Sequence, residues 1–145
     1  MATGDVTVFE EAKAYMLDGD WGSTDNIYCA VLDNTTTPTA ADASPSLGDY
    51  TEVGAAGSYT AGGTDLGTIA TLVTEAAGTM TFDSSTNPTW AQNAGNDTDA
   101  YWGLIYNATD AGSAAIAFVD LGGPVDMSAG DLTITWNASG IFTIV

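Results

Sequence analysis

Apolar and polar positions alternate along most of this chain. In "GTMTFDS" (78–84), Thr79, Thr81 and Asp83 stand opposite Met80 and Phe82; in "DLTITWN", Leu132, Ile134 and Trp136 alternate with Thr133, Thr135 and Asn137. A period of two places one set of side chains on each face of a strand. "NIYCAVLD" (26–33) is rich in β-formers and runs into the turn-prone "DNTTTP". "YTEV" (50–53) is a brief extended piece and "TDLGTIATLV" (64–73) a longer one. "AYWGLIYNA" (100–108) is almost continuously apolar, as a central strand buried on both faces would be. "AAIAFVDLG" (114–122) follows it across the hairpin-type connection "TDAGS". At the end, "NASG" turns the chain into "IFTIV", which predicts a terminal hairpin.

One segment has a helical period instead. Phe9, Ala12, Lys13, Met16 and Leu17 recur at helical spacing, with Thr7 placed to cap, Glu10 three residues on, and Gly19 as a stop. The spacing predicts one short helix near 7–18. The whole pattern predicts a single domain over 1–145, an all-β, jelly-roll-like antiparallel sandwich of about seven to eight strands. Segments 34–49 and 84–99 are the longest stretches without a strand signal, and such loops on a sheet scaffold usually carry binding surfaces. Cys29, the only cysteine, lies in the apolar "IYCAVL" and reads as a small buried hydrophobe.

The stretch "GSYTAGGTDLG" (57–67) concentrates four glycines around Tyr59 with no nucleophile or lysine beside them. It reads as a corner between strands, with Gly62 and Gly63 supplying positive φ and Tyr59 capping the sandwich edge.

Charge narrows the partners. The chain has 19 acidic residues, one lysine and neither arginine nor histidine, for a formal net charge of −18. Phosphate backbones and anionic lipid surfaces are gripped by Lys and Arg, so neither nucleic acid nor a membrane surface is expected as a partner. Carboxylate repulsion is screened by salt, so stability should rise with salt or divalent cations. No run is long and apolar enough to span a membrane, and the N-terminal segment lacks the basic start and apolar run of a secretory signal. The expectation is a soluble chain made in the cytoplasm.

Without histidine, Ser-His-Asp and Cys-His arrangements and His-built zinc sites are excluded. No phosphate-binding Gly-Lys loop is present, and no carboxylate pair has a distinguishing spacing, so the chain is not expected to be an enzyme. Calcium is the cofactor its acidic loops could take. "DGDWGSTD" offers Asp18, Asp20 and Asp25, and "NDTD" offers Asn96, Asp97 and Asp99, but neither follows the EF-hand pattern. These are weak metal candidates, and the expectation is no bound cofactor. Trp102 and Trp136 read as core. Trp21 and Trp90 lie beside polar loops and, with Tyr50 and Tyr59, are the candidate partner contacts. Asn34, Asn96, Asn107 and Asn137 open Asn-x-Ser/Thr triplets, which a Thr-rich chain produces by chance.

The order of the pieces resembles a group of small virion structural proteins of tailed bacteriophages, most like capsid decoration, or cement, proteins. The resemblance rests on the short helix, "NIYCAVLDNTTTP", "YTEV", "GSYTAGG", "TMTFDSSTNPTWAQ", "AYWGLIYNATDAGSAAIAFVDLGG" and "LTITWNASGIFTIV", and covers roughly residues 7–145. The tyrosine followed by Gly-Gly is its most recognisable part. It implies a virion protein that binds the major capsid protein lattice from outside after expansion, often as a trimer. The scarcity of Lys and Arg departs from what charge pairing with a shell would use, so the basic residues must come from the partner. Other readings are a carbohydrate-binding or adhesive sandwich, with Trp21 or Trp90 stacked on sugar, and a tail or head–tail joining component.

Overall fold

The computed structural model describes residues 2–19 and 21–145; Asp20 and the Leu17 side chain lie outside what is described. Ten strands are formed among these residues: β1 (Val6–Val8), β2 (Asn26–Leu32), β3 (Thr64–Thr68), β4 (Val73–Ala76), β5 (Thr79–Phe82), β6 (Thr89–Trp90), β7 (Ala100–Asn107), β8 (Ala115–Val125), β9 (Leu132–Thr133) and β10 (Phe142–Ile144). The α-helices are α1 (Ala12–Asp18) and the one-turn α2 (Ile69–Leu72), and Leu47–Asp49 forms a 3-10 turn. The strands make an antiparallel five-stranded sheet in the order β1-β8-β7-β2-β3, a three-stranded sheet β10-β5-β4 and a ribbon β6-β9. The chain is all-β and sandwich-like.

Burial on both faces explains the apolar runs at the centre. On one face of the large sheet, Cys29, Val31, Ile105 and Val119 join a cluster with Phe82 of β5, Leu132 of β9 and Trp136. On the other face, Leu32, Leu104 and Phe118 pack against Phe9, Ala12 of α1 and Tyr50. Ile116 stands where the β7–β8 register shifts, between the Tyr106–Ala115 and Ile105–Ala117 pairs. The extra residue there lets Ile116 and Ala117 both reach the first cluster while Ala115 and Phe118 serve the second.

Four local expectations are corrected. The helix starts at Ala12 rather than near residue 7, because Val6–Val8 pair with Val119–Ala117 as an edge strand. Gly19, at φ 78°, does end it. "YTEV" makes only the single bridge from Glu52 to Leu32. The run 64–73 is broken by α2, where Thr71 Oγ1 donates to the Thr68 carbonyl at 2.8 Å and Leu72 is buried. The terminal hairpin does not form: β9 pairs with β6 and β10 with β5, since "NASG", with Gly140 at φ 102°, carries the chain across to β5.

Cys29 is fully buried, and burial pushes its thiol up to about 12. At pH 8 the native protein is expected to react with a thiol reagent more than ~100-fold slower than the unfolded chain, because both thiolate and access are lost. Equal rates with and without denaturant would contradict this packing.

Candidate docking groove

Three of the four candidate partner contacts, Trp90, Tyr59 and Tyr50, are buried inside the fold, which corrects their reading as contact residues. Trp90 packs its ring 5.9 Å from that of Tyr59, and both are buried. The Tyr59 hydroxyl donates to Glu52 Oε1 and accepts from the Val31 N–H at 3.0 Å. Burial first, and then the Glu52 hydrogen bond, raises its pKa. Tyr50 stacks on Phe9 at 6.3 Å and donates to Asp42 Oδ2 at 2.8 Å. Trp102 is half-buried, edge-on to Phe118, and donates to Asn34 Oδ1 at 3.1 Å. Only Trp21 remains at a surface hollow, half-buried and packed against both apolar clusters.

Around Tyr59 the glycine stretch behaves as a corner. Gly62 and Gly63 have φ of 88° and 78°. The Gly62 N–H donates to Glu52 Oε1 at 2.6 Å, and the Gly62 carbonyl accepts from the Tyr106 hydroxyl at 2.9 Å. Glu52 thus ties the 62–63 turn to Tyr59, and through it to β2.

The acidic loops use their oxygens on themselves. Asp25 Oδ2 accepts from the Gly22 N–H and from Asn107 Nδ2, both at 2.9 Å. Asp97 Oδ2 accepts from the Gly54 N–H. Asp18 and Asp99 are exposed, and Asp20 lies outside the described residues. Among the described residues, no three or more acidic or cysteine side chains converge as a metal site would require. Two of the four Asn-x-Ser/Thr asparagines are structural: Asn107 is fully buried, and Asn96 nearly so.

The concave surface that stands out runs between α1 and the inner face of the three-stranded sheet. Residue pairing aligns Val73–Phe82–Phe142 as one row across that sheet and Glu75–Met80–Ile144 as the next row on the same face. The first row packs against the main core. The second overhangs it, and with Lys13 and Met16 of α1 lines a hollow of about 690 Å³. A smaller hollow of about 140 Å³, reaching Trp21 and Ile69, shares Met16 and Met80 with it. Thr74, Thr81 and Thr143 form a polar row on the sheet's other face.

Sequence reasoning singled out Trp21 but not its neighbours. Met80 alternated like any core residue, and the signal that separates it from Phe82 is the pairing with Ile144 two positions beyond Phe142. The Lys13 side chain makes no ion pair or hydrogen bond with any described residue, although it is the only cationic side chain among 19 acids. Comparison with family models, curated proteins and solved structures finds no match to this chain.

Proposed function

We propose that this chain is a structural, non-catalytic protein of a tailed-phage virion, which decorates the outside of the mature capsid and stabilises it. The observation that carries a binding role is the apolar groove around Met16, Trp21 and Met80, on a body that is otherwise strongly acidic. Exposed apolar surface of this kind marks association sites in soluble proteins. A binding role is also favoured by how the polar groups are used. No buried side-chain nitrogen or oxygen lacks a partner among the described residues, and Glu52, Asp25 and Asp97 each brace a turn. The choice of a capsid rests on the sequence resemblance. On a shell, many weak contacts act together, so a modest affinity per copy suffices. The acidic surface would meet basic groups of the lattice and keep particles apart.

Co-sedimentation of the purified chain with expanded and unexpanded empty capsids tests this reading. Binding at a fixed copy number to expanded shells alone is the expected result. No binding to either shell would overturn it.

A further inference from the structure

The groove is the part of the surface where charge and apolarity part company. Its larger hollow has one cationic side chain, Lys13, and one carboxylate side chain, Glu75, so the side-chain charges of the lining cancel, on a chain of formal net charge −18. The smaller hollow is lined wholly by apolar side chains, among them Trp21, Ile69 and Val73. A partner rimmed with lysine and arginine gains nothing from a neutral lining, since its attraction is to the acidic faces. A like-charged partner has the opposite need, because carboxylates set against carboxylates are costly and only a neutral patch lets two such bodies meet.

The groove is also complementary to itself. Its lining carries both signs, Lys13 on α1 and Glu75 on β4, where Glu75 ends the row that continues through Met80 to Ile144. Glu75 Oε1 accepts from the Gly78 N–H at 2.8 Å, which fixes the carboxylate at the head of the β4–β5 turn. We propose that the groove is a self-association surface, which takes the overhanging β10-β5-β4 face of a second copy of this chain. Met80 and Ile144 of each copy then cover the other's Met16, and Lys13 pairs with the second copy's Glu75. The proposal deepens the binding role given above and rests on the groove being an association surface, not on the partner being a capsid.

Sedimentation of the purified full chain, alone, at tens of micromolar tests it. The expected mass is that of two or more chains, with association strengthening as salt rises from about 0.1 to about 1 M and the Debye length falls from ~10 to ~3 Å. Ile144→Asp and Met80→Glu are each expected to weaken association by at least roughly tenfold, about 1.4 kcal/mol. Thr74→Asp, on the polar face of the same sheet, is expected to leave it unchanged. Lys13→Glu should weaken association, and adding Glu75→Lys should restore it. Melting curves and circular dichroism establish that each variant is folded, and a misfolded variant is replaced by Met16→Glu on α1. A monomer at every salt concentration, or an oligomer indifferent to all the groove substitutions, would overturn the proposal. The capsid assay uses a different partner, so either result can fail without the other.

Discussion

Replacing Gly63 by alanine is expected to cost about 3–5 kcal/mol and lower the melting temperature by roughly 10 °C or more. Two effects add. Gly63 has φ 78°, a conformation that costs an L-residue roughly 1–2 kcal/mol. A Cβ there would also stand 1.9 Å from the Cys29 carbonyl oxygen and 2.6 Å from the Ala30 Cα. Those are backbone atoms of β2, which is paired on both sides, so neither can retreat without breaking a ladder. Gly78 supplies the comparison, since it has φ 84° but no atom within 4 Å of an added Cβ. Gly78→Ala should therefore show the conformational cost alone, about 1–2 kcal/mol. Equal losses in the two variants, measured by denaturant titration, would show that the close approach to β2 contributes nothing.

That position shows what kind of information the sequence held. Four glycines without a chemical partner could only mean geometry, and the geometry was legible as a corner with positive φ at Gly62 and Gly63. What the glycines approach was not legible, because β2 lies about thirty residues earlier and nothing local points to it. The same division runs through the fold. Runs with a strong local signal, alternation at 79–82 and apolar or β-rich stretches at 26–32, 100–107 and 115–122, became strands of the expected kind. Short strands were missed or misplaced where pairing was decided at a distance. Val6–Val8 carries too few residues to show a period, and becomes a strand because β8 offers an edge. "IFTIV" was given the neighbour nearest in sequence, yet it pairs with β5.

The candidate site was less legible for a related reason. An aromatic beside a polar loop looks exposed, but Trp90 and Tyr59 lie against each other under loops whose hydrogen bonds are closed by Asn96. Met80 and Phe82 have the same sequence signature, and only the extent of the layer beneath them makes one core and the other groove. Burial depends on where the opposing layer ends, and a period of two carries no record of that.

The second large effect is expected at Asn96, whose amide joins three separate segments. Its Oδ1 accepts from the backbone N–H of Ser58 at 2.7 Å and of Tyr59 at 3.3 Å. Its Nδ2 donates to the carbonyls of Ala91 at 3.0 Å and Met127 at 3.1 Å. Asn96→Ala takes this partner from the N–H of buried Tyr59 and the carbonyl of buried Met127, while the Ala91 carbonyl keeps the Ser58 hydroxyl, and should cost about 2–4 kcal/mol at any pH. Asn96→Asp is the sharper variant, since it sets an oxygen against two carbonyl oxygens in a site only 6 % exposed. The introduced carboxyl is driven towards its protonated form, so its folded pKa lies above its unfolded value of about 3.9. A group of that kind destabilises increasingly as pH rises above the unfolded pKa, until the folded pKa is passed. The deficit of Asn96→Asp relative to wild type should therefore grow from pH 5 to pH 8, while that of Asn96→Ala stays constant. Denaturant titrations at both pH values decide it. A deficit that shrinks as pH rises would mean that the amide nitrogen does not face the two carbonyls, and that loops 54–58 and 91–97 are held together by something else.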